Sequence, residues 1–304
     1  MALNVELKNL RYLVEVVRQG SFSRAAAALY ATQPTISKAI SQLESEFGAR
    51  LLERGRRGVR LTSEGEVVHR RAQAMLVERD SMQSDLDELR GLRRGELRLG
   101  LPPMGSNVLF APLFARFRQS HPQIDIKLLE RGSRRLEEAL LSGEIELAAS
   151  LLPVAEHFEW QSVHDEPMVA LVPRTHALAK AQTVRLQDLR DEPHVLFESG
   201  LALQTIITNA CMQRGFMPHE AARTSQPDFA IALVAAGLGV AVLPQMVAGQ
   251  HAQENVVAVP LDEPDLRWHL ALLWRRGAGL SPAAREWLAL VASEREGVSP
   301  AAEA

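Results

Sequence analysis

The chain has 304 residues, of which 46% are hydrophobic and 23% charged, and its formal net charge is −3. This length and composition predict a globular protein of two or three domains. No apolar run reaches the length of a membrane span, and Met1 is not followed by the basic and apolar regions of an export signal. We therefore expect a cytoplasmic protein with no membrane partner. Cys211 is the single cysteine, which excludes an internal disulfide.

Charge is distributed unevenly along the chain. Residues 1–65 contain ten Lys and Arg against six Asp and Glu, a net charge of +4, whereas the remainder contains 24 against 31, a net charge of −7. A basic segment joined to an acidic one indicates that only the N-terminal part meets a polyanion such as DNA.

Two short helices are predicted first. Apolar residues recur at helical spacing over about 5–18, and Gly20 ends that helix. Ser23 is expected to cap a second helix over 24–30, whose four consecutive alanines allow another helix to approach its backbone closely.

A third helix is predicted from Thr32, its cap, to Gly48, with Pro34 in the first turn. Its buried stripe is Ile36, Ile40 and Leu43. The opposite face has donors and acceptors but no acid: Gln33, Thr35, Ser37, Lys38, Ser41 and Gln42. Such a face can read base edges in the major groove, with Lys38 on a phosphate, although a solvated polar face is the alternative.

Residues 51–62 predict a basic hairpin directly after the third helix. Its two strands and glycine-flanked turn carry four arginines, Arg54, Arg56, Arg57 and Arg60. A basic hairpin alone is more often a solvated loop. After three short helices it is typical of a wing, whose arginines follow phosphates or enter the minor groove.

Residues 10–65 resemble the DNA-binding module of LysR-type transcription regulators. More than fifteen positions match at fixed spacing: Gly20, Ser21, Phe22, Ser23, Arg24, Ala25, Ala26, Leu29, Gln33, Pro34, Ser37, Ile40, Leu43, Glu44, Gly48, Leu51, Leu52, Arg54, Arg57, Leu61, Thr62 and Gly65. At three positions the family often has other residues: Thr32, Thr35 and, in place of Phe, Leu52. We expect Thr35 to affect base preference.

The resemblance implies a winged helix-turn-helix domain in residues 1–65. Together with the patterns above, it assigns DNA contacts to Ser23, Arg24, Thr32, Gln33, Pro34, Thr35, Ser37, Lys38, Gln42, Arg54, Arg56, Arg57 and Arg60.

Residues 66–92 predict a long dimerisation helix. An apolar seam repeats along it: Val68, Ala72, Met75, Met82, Leu86 and Leu89. A core helix of the next domain is the alternative, but a seam this narrow on so long a helix is better buried against a second copy. The resemblance implies the same dimer, assembling further into a homotetramer.

Residues 93–304 predict an α/β module, because strands and helices alternate from Leu97 onward. The resemblance implies two Rossmann-like lobes, similar to periplasmic solute-binding proteins. Lobe I is expected over about 95–166 and 270–295, and lobe II over about 167–269. The chain is expected to cross between them near residues 167–171 and 268–272. The fold class is therefore α/β overall, with an all-α winged module and a linker helix in front.

An effector site is expected between the lobes, where loops follow the carboxyl ends of strands. The candidate residues are Pro103, Met104, Ser106, Gly132, Ser133, Leu151, Ser199, Gln204, Ser225 and Gln226. The polar members at helix starts can equally be helix caps, and both roles can coexist. Three nearby arginines, Arg131, Arg134 and Arg135, are expected on a solvated helix start. Met104 and Leu151 favour a small, partly apolar effector.

Neither a catalytic motif nor a metal or cofactor motif occurs in the sequence. His157 and His164 fall in a predicted loop and are expected at the surface. Disulfide-based peroxide sensing, known within the LysR family, needs a second cysteine besides Cys211. We expect no catalytic residue, no metal and no cofactor.

The sequence predicts a transcription regulator whose partners are promoter DNA, further copies of itself and a small-molecule effector, with RNA polymerase a candidate partner. A solute-binding protein would explain the two lobes but not residues 1–90. An enzyme that also binds nucleic acid would require a recognisable set of catalytic residues, and the sequence contains none.

Overall fold

The computed structural model describes residues 4–55, 58–89, 95–250 and 255–297. They form two compact units, one built from the N-terminal elements up to Leu89 and one from the α/β elements that follow.

The first unit contains three short helices, a hairpin and a long helix. In chain order they are α1 Leu7–Gln19, α2 Phe22–Ala28, α3 Gln33–Phe47, β1 Leu52–Gly55, β2 Gly58–Leu61 and α4 Ser63–Leu89. Leu13, Val16 and Ile36 are fully buried at the centre of the helical core. Gly20 and Gly48 end α1 and α3 in the left-handed conformation that glycine adopts without strain. The predicted helix–helix–helix–hairpin order is confirmed.

The cap of α2 differs from the prediction. Ser21, not Ser23, is the N-cap: its backbone is extended and its Oγ accepts a hydrogen bond from Arg24 N at 3.4 Å. Ser23 lies inside the first turn and is exposed. The helix therefore starts two residues earlier than expected, because Phe22 is drawn into the core.

The second unit is an α/β module. Its elements are β3 Gly95–Leu101, α5 Ser106–Ser120, β4 Ile124–Glu130, α6 Ser133–Ser142, β5 Leu147–Leu151, β6 Phe158–Pro173, β7 Pro193–Phe197, α7 Ala202–Gln213, β8 His219–Thr224, α8 Pro227–Ala235, β9 Ala241–Pro244, α9 Gln245–Gln250, β10 Val256–Pro260, β11 Arg267–Arg275 and α10 Pro282–Gly297. Two short 3₁₀ turns precede β7.

Strand β6 joins the two lobes. Its first part, up to Pro167, pairs antiparallel with β11, which continues the lobe I sheet through β5, β3 and β4. Its second part, from Met168, pairs with β9 and β10 in lobe II. One lobe crossing therefore lies between Pro167 and Met168. The return crossing follows Pro260 and is complete at Arg267, a few residues before the predicted start of lobe I at about 270.

Several strands differ from the sequence prediction. The loop prediction is wrong for His164, which lies within β6, whereas His157 lies in an exposed turn just before that strand. Strands β8 and β10 and helix α9 are not predicted from the sequence. Polar side chains of β6 accept hydrogen bonds from side chains of β11. Trp274 Nε1 donates to Glu159 at 2.8 Å, and Arg267 Nε donates to Asp165 at 2.8 Å.

Candidate nucleic-acid interface and ligand cleft

Helix α3 presents a polar face opposite a buried stripe. Ile36, Ile40 and Leu43 lie in the core. The Thr32 hydroxyl accepts from Thr35 N at 3.3 Å, and the Thr35 hydroxyl lies 2.8 Å from it. The exposed side chains on the other face are Thr32, Gln33, Pro34, Thr35, Lys38, Ser41 and Gln42. Ser37 is only half-buried. The predicted division of α3 into a core side and a polar side is therefore present.

The acids nearest this face point elsewhere. Glu44 accepts hydrogen bonds from Leu51 N at 2.9 Å and Leu52 N at 3.3 Å, which ties α3 to the base of the hairpin. Glu46 accepts from Asn4 N at 3.2 Å. Lys38 forms no ion pair with the described residues. The exposed face of α3 thus keeps a positive charge that is free to meet phosphate.

Arg24 has a structural contact in addition to its predicted DNA role. Its guanidinium donates to the carbonyl of Gln19, across the turn between α1 and α2. The side chain is exposed, so the remaining guanidinium nitrogens face solvent.

The hairpin of β1 and β2 is held against the α1–α2 turn. Val59 N donates to Gly20 O at 3.2 Å, and a Cβ on Gly58 would lie 2.9 Å from the same oxygen. Gly58 has φ of +111°, so the hairpin requires glycine there for two reasons. Arg60 is exposed on β2. The side chain of Arg54 and the whole of Arg56 and Arg57 lie outside the described residues.

Tyr30 is a candidate residue of the nucleic-acid interface that sequence reasoning missed. It lies in the turn between α2 and α3, its side chain is 100% exposed, and its φ is +51°. Among the described residues it is the one non-glycine with positive φ. A fully exposed aromatic in a strained conformation, two residues before the α3 cap, contributes nothing to the core. The sequence signal available was an aromatic residue at the very end of the predicted second helix.

The predicted seam of α4 divides into two sets. Ala72 is 1% exposed and belongs to the core of the first unit, and Val68 packs against that core. Ala72 is therefore used within the chain and is not available for the predicted dimer contact, whereas Val68 is only partly buried. Met75, Met82 and Leu86 are exposed. The side chain of Leu89 lies outside the described residues.

In the second unit, a cavity of about 390 Å³ lies between α6 and α7, that is, between lobe I and lobe II. Its lining residues are Ser133, Arg134, Glu137, Leu151, Leu152, Pro153, Ser199, Gly200, Leu201, Ala202, Thr205, Ile206 and Asn209. A smaller apolar pocket of about 20 Å³ shares part of this wall and adds Met104 and Trp268. The larger volume falls in the usual range for a small-molecule site.

Four of the predicted effector residues line these cavities: Met104, Ser133, Leu151 and Ser199. The other six do not appear in the lining of either cavity. Gln204 is buried and structural, because its Oε1 accepts from Phe197 N at 2.7 Å and its Nε2 donates to Thr208 at 2.8 Å. The Ser106 hydroxyl donates a hydrogen bond to Pro102 O, and Gly105, not Ser106, is the N-cap of α5.

Four predicted residues remain, and all of them lie in loops between a strand and the helix that follows it. Gly132 brings its Cα close to lobe II, since a Cβ there would lie 2.6 Å from Gly200 O. Gln226 caps α8 and its N–H donates to Thr224 Oγ1 at 3.1 Å. Pro103 and Ser225 are exposed. These residues shape the loops and do not line the cavity.

Glu137 is a charged lining residue that the sequence did not point to, because it lies one turn inside α6. Its Oε1 accepts a hydrogen bond from the buried Ser150 hydroxyl at 3.2 Å. Burial raises the pKa of Glu137, and the Ser150 hydrogen bond and the charge of His157 offset this only in part. Arg134 lies on the same helix, where its side chain is 87% exposed and 3.6 Å from Glu138.

Residues 7–66 match the bacterial regulatory helix-turn-helix proteins of the lysR family, and residues 90–296 match the LysR substrate binding domain. The chain belongs to the LysR family of transcriptional regulators. Its DNA-binding and substrate-binding domains correspond to the two units of the fold. The predicted family, fold class and role in transcription regulation are confirmed.

Relatives of this LysR-family chain match along nearly their whole length. An uncharacterized HTH-type transcriptional regulator of Bacillus subtilis, YwbI, is 35% identical over 93% of this chain and 95% of its own. The B. subtilis transcriptional dual regulator GltC is 30% identical over 94% and 96%. A full-length OxyR variant from Pseudomonas aeruginosa superposes with a TM-score of 0.76 at 27% identity, over 95% of this chain and 94% of that one.

No helix in the described part of this LysR-family chain is long and apolar enough to cross a membrane. Nor do the described residues include a group of three or more His, Cys, Asp or Glu side chains placed to hold a metal ion.

Cys211 of this regulator is expected to be unreactive in the folded chain. The residue is fully buried in α7, and burial raises the pKa of its thiol to about 11, so very little thiolate is present at pH 8. Labelling with a chromogenic disulfide reagent at pH 8 should be at least about 100-fold slower in the native protein than in denaturant. Labelling of the native protein at the rate of the unfolded one would contradict this burial.

Proposed function

We propose that the chain is a sequence-specific regulator in which α3 reads operator DNA and a small molecule bound between the lobes changes DNA binding or bending. The observation that carries the DNA part is the acid-free exposed face of α3 beside the basic hairpin. A short polar side chain at the front of such a helix reaches base edges, while Lys38 and Arg60 lie along phosphates.

The effector part rests on the cavity between α6 and α7. A ligand there touches both lobes, so it can bind one lobe arrangement more tightly than another and shift the population between them. We propose that the shift changes the separation of the two DNA-binding modules in an oligomer, and with it the bend in the operator. RNA polymerase is a further proposed partner.

The experiment that tests this function is footprinting on the strongest chromosomal site, with and without metabolites that the neighbouring operon makes or consumes. A protected inverted repeat whose boundaries or bend change with one metabolite is the expected result. Protection that no sequence change weakens would contradict sequence-specific reading.

We propose a homodimer through the exposed stripe of α4, assembling further into a homotetramer. Met82 is 60% exposed, and Met75, seven residues before it, and Leu86, four residues after it, share the same side of the helix. A soluble helix with three exposed apolar side chains in line gains stability by burying them against a second copy.

Met82→Glu is expected to weaken the dimer by at least about 100-fold, because each interface then buries two like charges. The matched control is Gln83→Glu, which adds the same charge at the next, exposed position. Sedimentation velocity over a concentration series measures both variants. Equal dissociation constants for the two variants would place the dimer contact elsewhere.

Tyr30 is proposed to contact the sugar–phosphate backbone beside the recognition helix. Tyr30→Asn should raise the stability of the DNA-binding module by about 1 kcal/mol, since Asn tolerates positive φ, and should lower DNA affinity about tenfold. Tyr30→Phe keeps the ring and should keep most of the affinity. Melting and fluorescence anisotropy give the two quantities, and an Asn variant with unchanged affinity would reject the DNA role.

A further inference from the structure

The cavity between α6 and α7 carries two ionisable groups in its lining, Arg134 and Glu137. The remaining polar lining residues are neutral: Ser133, Ser199, Thr205 and Asn209. The electrostatics that a ligand meets in this cavity therefore depend on how each of the two charges is solvated and paired.

The charge of Arg134 is directed to water and to a neighbouring acid. Its side chain is 87% exposed, and its Nε lies 3.6 Å from a carboxylate oxygen of Glu138 one turn further along α6. Glu138 also lies 3.6 Å from Arg135. A solvated, paired guanidinium contributes little field inside the cavity.

The carboxylate of Glu137 is in the opposite situation. It is half-buried, and the one hydrogen bond it receives from the described residues comes from the neutral hydroxyl of Ser150, which is itself 1% exposed. A carboxylate has about four acceptor positions, so most of its capacity is open to a ligand. Because the half-buried carboxylate is less well solvated than in water, burial raises its pKa, and the Ser150 hydrogen bond and the charge of His157 offset this only in part.

A poorly solvated carboxylate gains most from a charged donor and repels an anion. We propose that the effector of this regulator presents an amino group to Glu137, with its apolar body against Leu151, Leu201 and Ile206. This inference rests on the proposed function and adds the chemical class of the ligand, an amine or an amine-bearing zwitterion. Glu137 is then the residue that determines specificity for charge.

The test uses three probes of similar size, each with one phenyl ring, on the full-length protein: benzylamine, benzyl alcohol and benzoate. Ligand-observed NMR titration measures their dissociation constants, which for molecules this small are expected at about 1 mM for the best of them. The protonated amine should bind at least about tenfold more tightly than the alcohol, and the alcohol more tightly than benzoate.

Glu137→Gln should remove the preference for the amine, a loss of about tenfold, while Glu138→Gln should change it less than about twofold. Glu138 is the matched control, because it carries the same charge on the same helix but is not part of the cavity lining. Thermal melts of both variants, expected to match the parent, show that the change is in binding.

Tighter binding of benzoate than of the amine would overturn the inference, and so would a wild-type protein that binds no amine at about 10 mM or a Glu137→Gln variant that keeps the preference. Because these readouts do not involve DNA, they leave the proposed function standing. Loss of the proposed function itself would instead appear as wild-type protein that binds all duplexes with equal affinity.

Discussion

Lys38→Glu is expected to lower affinity for operator DNA by at least about 100-fold. Lys38 is exposed on the polar face of α3 and forms no ion pair with the described residues, so its charge is available to a phosphate. In the proposed dimer, reversal removes the proposed phosphate contact of Lys38 from each recognition helix and places a carboxylate against the DNA backbone. Fluorescence anisotropy at several salt concentrations should also show a shallower dependence of log Kd on log salt.

The matched control for Lys38→Glu is Lys180→Glu. Lys180 is also exposed, lies in a 3₁₀ turn of the second unit, and undergoes the same charge change. Its effect on DNA affinity should stay within about threefold, the contribution of net charge alone. Similar losses for both variants would mean that the protein binds DNA by overall charge and that α3 is not the reading element.

Gly65→Ala is expected to destabilise the DNA-binding module by about 3 kcal/mol or more, with loss of DNA binding at about 37 °C. A Cβ on Gly65 would lie 1.9 Å from Leu51 O and 3.1 Å from Leu61 Cδ2, so α4 could no longer begin against the base of the hairpin. The backbone carbonyl cannot move aside, because it accepts the hydrogen bond from Thr62 N at 3.1 Å.

Thermal melting of the full-length variant, followed by circular dichroism, measures this loss of stability. Gly48→Ala serves as the control because a Cβ there meets no atom within 4 Å but must adopt φ of +65°. Gly48→Ala should lower the free energy of unfolding by only about 1 kcal/mol, because conformational strain is its only effect. If the Gly65 variant melts at no lower a temperature than the Gly48 variant, the close approach of Gly65 to Leu51 is not important for the stability of the DNA-binding module.

The helices of the DNA-binding module can be predicted from the sequence because their cores are locally encoded. Ile36, Ile40 and Leu43 repeat at helical spacing, and Gly20 and Gly48 stop the chain where it turns. The predicted cap of α2 is wrong by two residues because Ser21 and Ser23 are both competent caps, and the burial of Phe22 decides between them.

Strand β6 cannot be predicted in full, because its N-terminal half carries Glu159, Gln161 and His164 and lacks the pattern of an apolar strand. Its stability comes from pairing with β11, about a hundred residues away in sequence, and Trp274 of β11 donates a hydrogen bond to Glu159. Gln161 instead donates to Leu288 O of α10. The C-terminal half, Met168 to Val172, is uniformly buried. It can be predicted because its continuous apolar run identifies it as a strand without knowledge of the strands that pair with it.

The ligand cleft can be predicted at the level of its loops but not of its helices. Ser133 and Ser199 follow strands and Leu151 is the last residue of β5, so all three lie where such loops gather. Glu137, Thr205 and Asn209 lie inside α6 and α7, and only the packing of lobe I against lobe II brings them to one cavity. The division of α4 into Ala72 inside and Met82 outside likewise depends on how it packs on α1.

Mapping of the full-length protein along its host chromosome tests the central claim most directly. If α3 reads base edges as part of a dimer, occupancy should concentrate at a few discrete sites that share an inverted repeat, and these sites should disappear with Lys38→Glu. Diffuse occupancy that follows DNA accessibility, with no shared sequence, would contradict the account and indicate a protein that coats DNA without reading it.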